Sequence, residues 1–177
     1  MRKIIFVGGI HGVGKTYLCK EICKEIDLPH FSASQLIRKQ KEEEMSALKN
    51  VTDVKANQAA LIMAINNLMI DTPSLLLDGH FCILNREGEI EGVPTETFER
   101  MEVACFLVIT DEPEKIRARL KARDNIEYSI EMLDNFQSEE ISYAKQLSKI
   151  SKVPLLIHKS RDDRKNLYNF INDNIYI

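Results

Sequence analysis

The chain has 177 residues, 44% of them hydrophobic, which makes one domain of ordinary size with material for a sizeable core. Lys and Arg total 24 against 27 Asp and Glu, a formal net charge of −3, which excludes a whole-chain basic footprint for nucleic acid or an anionic membrane. The cysteines Cys19, Cys23, Cys82 and Cys105 form no CxxC pair, and no apolar run approaches the roughly 18 residues of a membrane span.

In chain order, Ile4 to Val7 is a continuous run of β-favouring apolar residues, which predicts a strand buried on both faces of a parallel sheet. After a glycine-rich turn, Leu18, Cys19, Ile22 and Ile26 recur at helical spacing until "DLP" at 27–29 ends the pattern. "HFSA" at 30–33 reads as a short strand leading into a helix from about Ser34 to Met45. Thr52 and Asp53 suit the cap of a longer helix to about Ile70, with Val54, Leu61, Ile62, Ile65, Leu68 and Met69 as its apolar stripe.

"SLLLD" at 74–78 and "VACFLVI" at 103–109 read as buried strands, and "LNREGEIEGVP" at 84–94 as a flexible loop at the mouth of the site. A charged helix from "DEPEK" at 111–115 to about Arg123, an amphipathic helix over 129–150, a strand at 153–157 and a helix over about 162–173 follow. Buried strands alternating with amphipathic helices predict a three-layer α/β domain with a parallel sheet flanked by helices. A soluble, cytoplasmic protein with a small-molecule substrate is expected, as a monomer or small homo-oligomer, with no nucleic-acid or membrane partner.

The glycine-rich turn, Gly9-Ile10-His11-Gly12-Val13-Gly14-Lys15-Thr16, satisfies G-x-x-x-x-G-K-[ST] at every fixed position, behind a strand and at the head of a helix. Gly9, Gly12 and Gly14 let the backbone bend so that successive N–H groups face one concavity, where the helix N-terminus adds partial positive charge. The segment from Gly9 through His11 and Val13 to Thr16 and Tyr17 is therefore predicted to cradle the phosphates of ATP. Lys15 would reach the β- and γ-phosphates, and the Thr16 hydroxyl would ligate Mg²⁺.

Asp78 ends a buried strand, where a carboxylate faces the ligand crevice of an open α/β sheet. It is the candidate for the second Mg²⁺-organising group, acting through water. His80, two residues on, either contacts phosphate or packs.

"GGIHGVGKT", followed by "LPHFSASQLIR", "LLLDGH" and "DEPEKIRARLKARD", resembles the adenylate kinase-like nucleoside monophosphate kinases, in particular the short-lid type found in archaea. The resemblance spans most of the chain. It implies a single P-loop NTPase domain over 1–177 with a central, mostly parallel five-stranded sheet, and Mg·ATP-dependent transfer of the γ-phosphoryl group to a phosphorylated acceptor. Acceptor-binding helices would cover about 33–70 and a short lid about 119–130. On the S-x-x-x-L-x-R pattern, Ser32 and Arg38 fall at the acceptor phosphate, with His80 nearby. Arg119 and Arg123 match the lid-edge arginines, which lie at i, i+4 on one helix face and act as bidentate donors to transferring phosphates; surface pairing with Glu114, Asp124 or Glu127 is their alternative use.

The chain departs from that pattern in two places. Longer-lid relatives continue "DG" with "FPR", whereas this chain reads Asp78-Gly79-His80-Phe81-Cys82, so an acceptor arginine is missing unless Arg86 or Arg100 substitutes. The helix over 129–150 carries Glu139, Glu140 and Lys145 but no arginine, so a second lid pair is also absent.

Two further readings stand beside the nucleotide kinase. A kinase of a hydroxyl-bearing metabolite would use Asp53 or Asp78 as base, although residues 32–35 hold no acid. A regulatory ATP-hydrolysing switch would lack both an N-K-x-D signature and a glutamate beside Asp78. Asn57 and Gln58, on the long helix, could read an acceptor base.

Overall fold

The computed structural model describes residues 3–45, 54–68, 72–85 and 87–175. β1 (Lys3–Gly8) is buried from Ile4 onward because it has a parallel neighbour on each side and helices on both faces. β3 (Ser74–Asp78) pairs with one edge of β1 and β6 (Val103–Thr110) with the other. β2 (His30–Ser32) and β7 (Leu155–Lys159) complete a five-stranded sheet in the order β2-β3-β1-β6-β7, every pairing parallel. The strand order changes direction beside β1, and this is where an open α/β sheet opens a crevice at the carboxyl ends of its strands.

The register fixes what meets there. Val7 lies opposite Asp78, and Ser32 lies opposite Asp78 on the other side. The helices are α1 (Lys15–Ile26), α2 (Ala33–Met45), α3 (Val54–Leu68), α4 (Thr95–Met101), α5 (Pro113–Asp124), α6 (Ile130–Ser151) and α7 (Arg164–Ile175). Thr52, Asp53, Met69, Ile70 and Arg86, for which the sequence predicts candidate roles, lie outside the described residues. Among the described residues no helix is long and apolar enough to cross a membrane.

The stretch expected to be a flexible loop is instead built. Cys82–Leu84 (β4) and Ile90–Gly92 (β5) form an antiparallel hairpin, with α4 directly behind it. Its turn is organised by Asn85, whose Oδ1 accepts from the N–H groups of Glu87 and Glu89 at 3.1 and 2.8 Å. The Tyr143 hydroxyl of α6 donates to Val93 O at 2.6 Å, and Val93 N donates to Phe81 O at 2.8 Å, so the hairpin is tied to the core. β7 also begins later than the apolar run suggests. Pro154 has no N–H to give to a ladder, although its carbonyl accepts from Phe106.

Phe6, Phe81, Phe98 and Phe106 pack as one aromatic cluster, with ring centroids 5.0 to 6.5 Å apart. A Cβ at Gly8 would lie 2.2 Å from the Phe81 ring, so the aromatic layer presses against the backbone just ahead of the glycine-rich turn.

Candidate active site

The turn between β1 and α1 is left-handed or strained at three glycines, with φ of 143° at Gly9, 77° at Gly12 and 103° at Gly14. A Cβ at Gly9 would also meet Ile109 O at 2.6 Å, so the loop lies directly on β6. No side chain caps α1, whose first amides face a hollow of about 350 Å³. His11, Gly12, Gly14, Thr16 and Tyr17 line it, whereas Val13 turns into the core and is 1% exposed.

Lys15 is buried at the floor. Its Nζ donates to Gly9 O, to Ile10 O at 3.2 Å and to His80 Nε2 at 3.4 Å. Burial holds its pKa below the ordinary lysine value, against the opposing pull of the Glu140 and Asp78 carboxyl groups. Burial, reinforced by the Lys15 and His11 charges, pushes the His80 imidazole down to about 2. Burial therefore disfavours a positive charge on His80. Its ring packs on that of His11, with centroids 4.3 Å apart.

Arg119 reaches the rim of the hollow from α5. Its Nη1 donates to Gly12 O and Val13 O, each at 3.2 Å, and its Nη2 pairs with the buried Asp111 carboxylate. Burial alone would raise the Asp111 pKa, but the hydrogen bonds from Arg119 and the Glu112 N–H outweigh it and hold the carboxyl below its usual range. Gln137 of α6 clasps the Asp111 backbone at both N–H and C=O, each at 3.0 Å. Arg119 is thus held against the loop by a support that local sequence spacing did not indicate.

Arg123 also lines the hollow, and its guanidinium makes two 2.6 Å contacts with Asp124, a surface pair with its neighbour in the chain. The proposed lid span of 119–130 comprises the end of α5, the connection after it and the first residue of α6.

Asp78 and Ser32 lie where the sheet register puts them, at the back of the same hollow. His30 Nε2 donates to Asp78 Oδ2 at 2.6 Å, and Cys19, one turn after Lys15, brings its sulfur within 4.8 Å of both. Burial, with the Asp78 carboxylate next, holds the Cys19 thiol far above its ordinary value, so it is a neutral packing group. The Thr16 hydroxyl and the Asp78 carboxylate are hard oxygen donors on one hollow, a set that fits Mg²⁺; thiol and imidazole donors suit softer metals.

Glu140 is the residue of this region that the motifs missed. It belongs to the buried stripe of α6, Leu133, Phe136, Glu140, Ala144 and Leu147, and is itself 0% exposed. An acid within that helical stripe is the signal that could have found it. Its Oε2 accepts from Phe81 N at 3.0 Å, tying α6 to the turn that carries His80, while Oε1 is buried without a hydrogen-bond partner. Burial pushes the carboxyl up to about 7, opposed by the Phe81 N–H, Lys15 and the Cys82 N–H.

The raised value has a definite sign in stability. From its ordinary value of 4.5 up to about 7, the folded chain holds a proton at Glu140 that the unfolded chain has lost. This group therefore removes stability as pH rises through that window and costs a constant roughly 3 kcal/mol above it. His11, His80 and His158, held low by burial, act in the opposite sense, so the test is a difference. Glu140→Gln should gain stability relative to the parent by about 1–3 kcal/mol between pH 5 and 8 in urea denaturation. A difference that does not change with pH would sink this assignment.

A second cleft, of about 200 Å³, opens between α2, α3, α4 and the hairpin. Ser32, Ser34, Asp78 and His80 line both it and the phosphate hollow. Ile37 of α2 and Asn57, Gln58 and Leu61 of α3 also line it. Arg38 lies exposed on α2 and Arg100 exposed on α4, and neither lines either hollow.

The glycine loop, the parallel sheet and the buried lysine define a P-loop NTPase with a kinase-type fold. Residues 8–137 match a family model described as an AAA domain, and the chain belongs to that family. No curated protein matches the chain. Among solved structures it is similar to a gluconokinase from Sinorhizobium meliloti at 14% identity and a TM-score of 0.55, over 99% of this chain and 95% of that one. It is likewise similar to a sugar kinase from a Janibacter species at 14% identity and a TM-score of 0.58, over 100% and 96% of the two chains. At such identities the likeness is one of fold. Neither the family nor these structures single out the adenylate kinase-like subtype that the motifs resemble.

Proposed function

We propose that the chain is an ATP-dependent kinase that transfers the γ-phosphoryl group to a hydroxyl of a small metabolite, in place of the nucleoside monophosphate its motifs suggest. One observation carries this reading: the phosphate hollow and the second cleft meet at Ser32, Ser34, Asp78 and His80, and no Lys or Arg is among the described residues lining the cleft. A phosphorylated acceptor carries nearly two negative charges and calls for a guanidinium or ammonium partner. A neutral hydroxyl calls instead for a nearby base, and Asp78 is the carboxylate at the junction. The fold neighbours named as a gluconokinase and a sugar kinase agree with a metabolite acceptor.

In this reading the loop amides and Lys15 hold the donor phosphates, and Arg119 and Arg123 face the charge that spreads over the transferring group. The acceptor oxygen bonds to the γ-phosphorus as the bond from that phosphorus to the β,γ-bridging oxygen breaks. ADP leaves, and the hydroxyl proton passes to Asp78. Mg²⁺, which Thr16 and Asp78 would hold, would supply charge neutralisation. Arg38 has no acceptor phosphate to hold, and its role in this scheme is nil.

The test is ADP release from Mg·ATP with neutral hydroxyl metabolites and, separately, nucleoside monophosphates. Stimulation of about tenfold or more by a neutral hydroxyl compound is expected. Stimulation by monophosphates alone would restore the nucleotide kinase, and slow release indifferent to every compound would point to a regulatory ATPase.

A further inference from the structure

We infer that the second cleft takes a neutral alcohol carrying a flat aromatic or heteroaromatic ring, in preference to a polyol or a sugar acid. The transfer step rests on the kinase reading above; the binding inference does not.

Three features of the cleft lead to this class. Its walls are apolar and partly aromatic: Phe6 and Phe98 meet edge to face, with centroids 5.1 Å apart and planes at 90°, beside Met101, Leu61 and Ile37. Walls of this kind gain from covering ring faces, whereas a polyol would give up water at several hydroxyls with only Asn57, Gln58 and Thr97 to replace it away from the junction with the phosphate hollow.

The polar groups are few and segregated. Asn57 and Gln58 on α3 each offer an amide that both donates and accepts, the pattern that matches the edge of a heteroaromatic ring. Ser32, Ser34, Asp78 and His80 lie instead where the cleft joins the phosphate hollow. An occupant therefore needs hydrogen-bonding atoms on its ring edge and one hydroxyl on the side that faces the donor phosphate.

Charge gives the third feature. No lysine or arginine lines the cleft among the described residues. A carboxylate such as a sugar acid would lose its hydration without gaining a counter-charge, which disfavours the substrate class named for the S. meliloti structure.

Saturation-transfer NMR on the full chain would use uridine, adenosine and pyridoxine as ring alcohols, with gluconate, glycerol and UMP as comparisons. Saturation of ring protons of at least one ring alcohol is expected, with binding at least about tenfold tighter than that of the comparisons. Gln58→Leu should weaken that binding by about tenfold with an unchanged melting temperature. Phe98→Ala should weaken it as well, but Phe98 belongs to the core, so the Gln58 variant decides. Preference for gluconate, glycerol or UMP, or no binding by any ring alcohol, would overturn the inference. Phosphorus NMR with Mg·ATP then separates the two ideas: a ring alcohol that binds but forms no phosphomonoester leaves the cleft assignment standing and removes the kinase.

Discussion

Lys15→Ala is expected to lower acceptor-stimulated ADP formation by about 10³-fold or more while the chain stays folded. The ammonium lies beneath the loop, donating to the carbonyls of Gly9 and Ile10, and burial already disfavours its charged form. Donor phosphates would replace those neutral carbonyls with anionic oxygens, a much stronger partner for a desolvated cation. That gain is largest where charge builds up during transfer, so the loss should fall mainly on kcat. Stability should change little, because removing the cation loses two hydrogen bonds to carbonyls but also relieves a desolvation cost. Thermal melting and ADP release on the same preparation check both halves. Turnover within tenfold of the parent would remove Lys15 from the chemistry.

The parts of this architecture that were legible in the sequence are those written in local spacing. "SLLLD" became β3 from Ser74 to Asp78 because a short apolar run beside "DTP" has few other fates. The loop from Gly9 to Thr16 was legible because its glycines adopt backbone angles that side chains rarely take.

What stayed hidden is held together across distance. β4 and β5 are three residues each, too short to show a period of two, and their turn chemistry is spread over Asn85, Glu87 and Glu89. The partnership of Arg119 with Asp111 was hidden for a different reason. The two are eight residues apart, and the carboxylate precedes the helix, so helical periodicity does not pair them. Arg38 illustrates the reverse case. The local pattern Ser32, Leu36, Arg38 resembles an acceptor site, yet neighbouring side chains on a helix diverge by about 100°, and Ile37 rather than Arg38 lines the cleft.

Asp78→Asn should lower acceptor-stimulated kcat by about 10²–10³-fold, the second largest effect expected in this site. Asn has the shape of Asp, so the side chain can still accept from His30 Nε2, which donates to Asp78 Oδ2 at 2.6 Å in the parent. What disappears is the negative charge, and with it the capacity to take the acceptor proton. Asp78 is 6% exposed and neutral asparagine is cheaper to bury, but the buried Lys15 loses one of the carboxylates that favour its charge, so the variant should melt close to the parent temperature. The two roles assigned to Asp78 separate on magnesium titration. If its carboxylate serves chiefly to organise the cation, raising Mg²⁺ well above the parent optimum should restore much of kcat. If it serves as the base, saturating Mg²⁺ should restore the KM for Mg·ATP and leave kcat low at every concentration. A kcat within threefold of the parent would exclude both roles and shift the search for a base away from the junction of the two hollows.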